Sequence, residues 1–144
     1  MTKYSIAFFI LISSASIAQT ERYTKDAENG YAWIEMEKEQ IMFSTSKDTY
    51  LSSILQRFNL LQEKYPELES LSCGEEINQL METGKSDEIS LEDVVLSIDE
   101  FYTHRENLII PIIFAYCYTI KKMAGADKKE LKSYKNEVLL FCAK

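Results

Sequence analysis

Residues 89–125 read ISLEDVVLSIDEFYTHRENLIIPIIFAYCYTIKKMAG, and this stretch decides the fold because it has the strongest pattern in the chain. Ser90 precedes Asp93 by three residues, which is the spacing of a capping box and predicts the start of a helix. Apolar residues then recur at steps of three and four, as on the buried face of an amphipathic helix. The predicted apolar face contains Leu91, Val94, Val95, Ile98, Phe101 and Tyr102, and the face predicted to meet water contains Glu92, Asp93, Asp99 and Glu100.

A second helix is predicted after the polar turn at residues 103–107. Pro111 suits the first turn of a helix, where its missing amide hydrogen costs nothing. Gly125 is placed to end this helix in the left-handed conformation. The apolar positions of the helix are Ile110, Ile113, Phe114, Cys117 and Ile120. The stretch therefore predicts a helical hairpin onto which the other segments pack.

The segments before the hairpin also have helical patterns. Asn29 can cap a short helix that carries Trp33, the only tryptophan, which we expect to anchor the N-terminal end to the core. Neither glycine nor proline interrupts residues 37–65, which predict one long helix or two helices in line, with a break near 43–48 left open. Pro66 ends this pattern because the residue before a proline avoids the helical region.

Two further helices complete the pattern. A short helix is predicted from Gly74 to Met81, and Gly84 is placed to close it. The last helix begins at Asp127, where Glu130 repeats the capping-box spacing. Strand-like alternation is absent from the sequence. The predicted fold class is therefore all-α, a single compact bundle of five or six helices.

The N-terminus has the three parts of a cleavable secretory signal. Lys3 supplies a positive charge, an apolar run follows, and the small residues Ser16 and Ala18 form a cleavage site. The apolar run is shorter than the roughly 20 residues that a membrane-spanning helix needs. We therefore expect a periplasmic or secreted protein with no membrane insertion after the signal is cleaved.

These features divide the chain into three parts. Residues 1–18 are the expected secretory signal peptide, residues 19–28 a flexible leader, and residues 29–144 the helical domain. The chain has 16 lysines and arginines against 23 acidic residues, a net charge of −7. Such a surface repels the phosphates of nucleic acids and anionic lipids, so neither is an expected partner. It favours another protein as the partner, with a basic hydrolase as one example, and it leaves the oligomeric state open.

Three cysteines, Cys73, Cys117 and Cys142, allow three different single bridges and leave one thiol over. Cys117 lies between Ile113 and Ile120 on an apolar helix face, where a thiol commonly serves as a small buried hydrophobic group. We therefore predict a bridge between Cys73 and Cys142 in an oxidising compartment. With no CxxC motif and no pair of histidines, a zinc site is not predicted.

Catalytic chemistry has little support in the sequence. His104 is the only histidine, and Glu100 would share a helix face with it without a third metal ligand. An apolar neighbourhood disfavours the thiolate form of Cys117. The four glycines are scattered, so no phosphate-binding loop is formed. We expect no catalytic, metal or cofactor site, and we predict that the protein is not an enzyme.

The turn at residues 103–107 is the first candidate for contact with a partner. It collects the lone histidine, an arginine and an acidic residue, although folding has no clear need for all three. Tyrosine and arginine side chains are enriched at protein interfaces. The predicted partner-binding residues are Tyr102, His104, Arg105 and Asn107.

The segments SLEDVV and FYTHRENLIIPIIFA, followed by a cysteine near the C-terminus, resemble the Rap/Tai-like periplasmic immunity proteins over roughly residues 90–142. Members of that family bind and block peptidoglycan-amidase toxins delivered by type VI secretion. The resemblance implies an exported, non-enzymatic binding protein that inhibits a cell-wall hydrolase toxin. The NGYAW segment at residues 29–33 and the FYTHREN turn are similar to exported helical proteins of no assigned function as well. An envelope structural or assembly module is therefore the alternative.

Overall fold

The computed structural model describes residues 29–39, 47–64 and 66–143, with side chains at 29–36, 47–56 and 68–143. This part of the chain forms an all-α bundle without strands, as predicted. Its α-helices are α1 (Gly30–Glu39), α2 (Lys47–Lys64), α3 (Gly74–Glu82), α4 (Leu91–Tyr102), α5 (Ile112–Ala124) and α6 (Lys128–Cys142). Short 3-10 helices form at Pro66–Leu71, Lys85–Glu88 and Arg105–Asn107. The expected signal and leader lie outside the described residues, and so does most of the stretch near 43–48 where a break was left open.

The helix boundaries follow the local signals in the sequence. Ser90 Oγ accepts a hydrogen bond from the Asp93 amide at 3.1 Å, and Asp93 Oδ2 accepts one from the Ser90 amide at 2.8 Å, so the predicted capping box is present. A second capping box forms at Asp127 and Glu130. Gly125 ends α5 in the left-handed conformation, with φ of 104°. These contacts satisfy the backbone groups that a helix end leaves without partners.

The core is centred on α5, which packs against α2, α3, α4 and α6. A helix that is apolar on nearly every side must be buried on nearly every side. The buried residues of α5 are Ile112, Ile113, Phe114, Ala115, Cys117, Thr119 and Ile120. The partner face of α4 is buried at Val94, Val95, Ile98, Phe101 and Tyr102, whereas Leu91 is exposed. The predicted α4–α5 hairpin is therefore the centre of the fold.

Helix α1 attaches to the turn end of this hairpin. The Gly30 amide donates a hydrogen bond to the Leu108 carbonyl at 3.0 Å, and Asn29 forms an isolated bridge with Pro111. A Cβ atom at Gly30 would lie 2.5 Å from the Tyr102 ring, so only glycine allows this approach. Trp33 is buried and anchors α1, as predicted.

Asp99 differs from the prediction because it is half-buried instead of facing water. Its Oδ1 atom accepts a hydrogen bond from Trp33 Nε1 at 2.6 Å and lies 2.5 Å from Lys47 Nζ. Both partners are distant in sequence, and the periodicity of α4 alone carries no information about them. The two contacts bring α1 and the start of α2 onto the outer edge of α4.

The disulfide joins Cys73 to Cys117, so the predicted bridge between Cys73 and Cys142 is wrong. Cys73 immediately precedes α3, which packs on α5, and the Cα atoms of Cys73 and Cys117 lie 5.1 Å apart. Cys142 is a buried free thiol. The prediction failed because apolar neighbours favour a buried disulfide as much as a buried thiol.

Candidate partner-binding surface

Two of the four predicted contact residues hold the turn between α4 and α5 from inside. Tyr102 and Asn107 are only 3% and 4% exposed. Tyr102 donates its hydroxyl to the Ile110 carbonyl at 2.8 Å, and Asn107 Nδ2 donates to the Phe101 carbonyl at 2.7 Å. Burial raises the pKa of Tyr102 well above its ordinary value. These two side chains therefore hold the turn from inside, and neither is exposed on its outer surface.

The other two predicted residues lie on the outside of the turn. His104 and Arg105 are exposed, and so is the next residue, Glu106. Asn107, which follows it, is buried. His104 Nδ1 lies 4.0 Å from Glu106 Oε1, and both side chains are largely in water. A contact of this kind contributes little to stability. The polar groups of the turn are thus available to a partner.

Two large apolar side chains extend this surface. Tyr31 is 56% exposed and Ile109 is 52% exposed. They directly follow Gly30 and Leu108, which share a backbone hydrogen bond, so they lie at the same end of the molecule. We define the turn surface as Tyr31, His104, Arg105, Glu106 and Ile109. Sequence reasoning missed Tyr31 and Ile109, because nothing local indicates that α1 is placed beside the turn.

A small groove opens beside the turn, between α4, α5 and α6. Its volume is about 190 Å³. The residues that line this turn groove are Ser97, Glu100, Phe101, His104, Glu106, Asn107, Tyr118, Lys122 and Lys135. Lys122 Nζ lies 2.9 Å from Glu100 Oε2, and this hydrogen bond lowers the pKa of Glu100. The groove therefore presents charged groups of both signs next to the turn surface.

Two other cavities formed by described residues lie away from the turn. A groove of about 470 Å³ is lined mainly by apolar groups, including Leu55, Ile77, Tyr116 and the disulfide. A polar cleft of about 490 Å³ lies between α3 and α6, where Lys121 Nζ is 2.6 Å from Glu76 Oε1. In that cleft the lysine already has a carboxylate partner. Neither cavity contains a residue of the turn surface.

Glu100 and His104, whose spacing in the sequence would allow both to bind a metal ion from one helix face, do not lie on one helix face. Helix α4 ends at Tyr102, two residues before His104, and Glu100 is engaged with Lys122. Across the described ranges, no group of three or more histidine, cysteine, aspartate or glutamate side chains is placed to hold a metal ion. None of the helices in these ranges is long and apolar enough to cross a membrane.

Comparison with known proteins gave no match to a family model, to a curated protein or to a solved structure. The turn surface and the turn groove are therefore the features from which function is inferred.

Proposed function

We propose that this chain is an exported, non-enzymatic binding protein that contacts another protein through the turn surface. The observation that carries the proposal is the combination of a turn fixed by the buried residues Tyr102 and Asn107 with an exposed Ile109. A loop that is already ordered loses less conformational entropy when it binds. An apolar side chain surrounded by polar groups is the usual arrangement of a contact patch.

Export is supported by the disulfide between Cys73 and Cys117, since such bonds persist mainly in oxidising compartments. The signal-like sequence of residues 1–18 supports the same location, in the periplasm or outside the cell. A non-enzymatic role is supported by the cysteines, because two are joined in a bridge and the third, Cys142, is buried. Burial raises the pKa of Cys142 to about 11, which disfavours a nucleophilic thiolate.

The most specific form of the proposal is an immunity-type inhibitor of a cell-wall hydrolase toxin. The resemblance over residues 90–142 supports it, and that segment contains the turn. A net charge of −7 suits a basic enzyme as the partner. A preformed turn with an apolar tip can enter the cleft of such an enzyme and exclude its substrate.

A second candidate is a structural or assembly module of the envelope. The large exposed side chains of Leu96 on α4 and Leu140 on α6 favour it, because they offer apolar contact points outside the turn surface. An assembly module would use such points to hold a permanent partner. In that role, substitutions in the turn surface would weaken the binding of the partner no more than substitutions elsewhere on the protein surface.

Deletion of the gene, followed by complementation, separates these candidates. We expect deletion to make cells sensitive to hydrolase delivered by neighbouring wild-type cells, and the wild-type gene to restore survival. Ile109→Asp should fail to restore it, because a carboxylate replaces the apolar tip. Met81→Asp is the matched control. Met81 is 64% exposed, and it lies on α3, which precedes in sequence the end of α4 that is farther from the turn. Unchanged survival on deletion would refute the immunity function.

A further inference from the structure

We infer that the turn groove binds an acidic side chain of the partner protein, with Lys135 as the cation and Tyr118 as a second donor. The choice of a protein as the source of the carboxylate rests on the proposed function. The groove's preference for a carboxylate rests on its own side chains and can be tested without the partner.

Lys135 is a half-buried cation without a described carboxylate beside it. Its Nζ donates to the neutral Asn107 Oδ1 at 3.3 Å. Within the part of the chain that the structure describes, no ion pair of 4.0 Å or less involves this lysine. Lys121 and Lys122, in contrast, have carboxylates at 2.6 and 2.9 Å. In a chain with an excess of acidic residues, Lys135 has spare hydrogen-bond donors in a groove.

Tyr118 supplies a second spare donor in the same groove. Its ring lies 4.8 Å from that of Phe101, which limits its movement. The buried hydroxyls of Tyr102 and Tyr134 donate to backbone carbonyls at 2.8 and 2.9 Å. The hydroxyl of Tyr118 has no such partner among the described residues. Tyr118 and Lys135 therefore both line one small groove.

The acceptor that suits an ammonium and a phenol together is a carboxylate, because charge-assisted hydrogen bonds are the stronger ones. A volume of about 190 Å³ holds roughly six water-sized groups, which is enough for the end of one glutamate or aspartate side chain. A phosphate would bring a larger negative charge towards Glu100 and Glu106, which line the same groove. Glu100 is already paired with Lys122, and Glu106 is largely in water, so a single carboxylate meets limited repulsion.

A matched pair of small probes tests this inference on the full exported chain. We would titrate N-acetyl-glutamate N-methylamide and N-acetyl-glutamine N-methylamide, which differ only in the charge of the side chain. The readout is the side-chain amide of Asn107 in ¹H–¹⁵N spectra, because its oxygen is the present partner of Lys135. The variants are Lys135→Met, Lys135→Arg, Tyr118→Phe and, as a control on the exposed face of α6, Lys132→Met.

We expect a saturable shift of the Asn107 amide with the glutamate probe and none with the glutamine probe. Loss of the charged donor in Lys135→Met should weaken binding about tenfold, and loss of one neutral hydrogen bond in Tyr118→Phe about threefold. Lys135→Arg should retain binding, and Lys132→Met should match the wild type. Equal shifts with both probes, or an unchanged titration in Lys135→Met, would overturn the inference.

A second arm tests the source of the carboxylate. Once a partner is isolated, Lys135→Met should weaken the complex by a factor similar to its effect on the glutamate probe. A complex that is weakened by Ile109→Asp but not by Lys135→Met would overturn the inference and leave the proposed function in place. If the groove binds the glutamate probe but no partner protein binds in a way that depends on Ile109, the proposed function is refuted instead.

Discussion

Trp33 donates its indole N–H to Asp99 Oδ1 at 2.6 Å, although the two residues are 66 positions apart in sequence. The same oxygen lies 2.5 Å from Lys47 Nζ, which is also 5.0 Å from the centre of the Trp33 ring. The Asp99 carboxylate on α4 therefore contacts both α1 and the start of α2. Because Tyr31 lies two residues before Trp33, this contact also helps to position Tyr31 within the turn surface.

Removal of that carboxylate is expected to be costly. Lys47 is buried, and breaking one partner of a buried ion pair costs about 3 kcal/mol or more. Since the Asp99 side chain is partly exposed, we expect the lower end of this range for Asp99→Leu. Urea unfolding, followed by the fluorescence of Trp33, measures the loss. The double variant Asp99→Leu with Lys47→Met should recover part of the stability, because the ammonium group that contacts Asp99 is removed together with the carboxylate. Strict additivity of the two single effects would contradict the coupling.

Asn107→Ala is expected to loosen the turn as well as to lower stability. The substitution leaves the Phe101 carbonyl without its donor, which costs about 1–3 kcal/mol when the group is buried. Hydrogen exchange of the Asn107, Leu108 and Ile110 amides should become faster, since these amides form the turn hydrogen bonds. Asn136→Ala, on the exposed face of α6, is the control and should stay within about 0.5 kcal/mol of the wild type. Unchanged exchange in Asn107→Ala would show that other contacts hold the turn.

Tyr102→Phe is expected to have an effect that depends on pH. Below about pH 10 the variant should be less stable by about 1–2 kcal/mol, because the Ile110 carbonyl loses its donor. Burial raises the pKa of Tyr102 in the folded chain, so the neutral phenol is favoured there. The contribution of Tyr102 to the free energy of unfolding is complete below the pKa that Tyr102 has in the unfolded chain. It falls as the pH rises above that pKa, by up to about 1.4 kcal/mol per pH unit. The difference between wild type and variant should therefore narrow between pH 10 and 11. A constant difference over this range would mean that Tyr102 is not desolvated.

Peptide mapping without reduction should find the Cys73 peptide joined to the Cys117 peptide, and Cys142 free. Closing a loop with a sequence separation of 44 is worth up to about 4 kcal/mol, so reduction should lower the free energy of unfolding by a similar amount. At pH 8 the raised pKa of Cys142, about 11, leaves roughly a hundredfold less thiolate than an ordinary thiol has. Alkylation of Cys142 should therefore be slow in the folded protein and fast in urea. A linked Cys142 peptide would contradict the described pairing.

The parts of the fold that could be predicted are those fixed by residues close together in sequence. Ser90 with Asp93, Asp127 with Glu130, and Gly125 each form a local backbone contact, so their helix boundaries were predicted correctly. The burial of Trp33 was also predicted, since a lone tryptophan in an apolar pattern has few other roles.

The features that sequence reasoning missed depend on contacts between distant residues. Asp99 lies on the polar side of the α4 pattern, and only the arrival of Trp33 and Lys47 buries it. The choice of Cys117 over Cys142 depends on how α3 packs on α5. Tyr102 and Asn107 have the residue types of an interface, but their hydrogen bonds to Ile110 and Phe101 direct them inward. The spacing of residues does not contain this directional information.

The central claim is that the turn surface contacts a partner protein, and site-specific photo-crosslinking in the producing cells tests it most directly. A photoreactive residue would replace Ile109 in one version of the chain and Met81, which is comparably exposed, in another. We expect one discrete higher-mass adduct from position 109 and none from position 81. No adduct from position 109, or equal adducts from both positions, would contradict the claim.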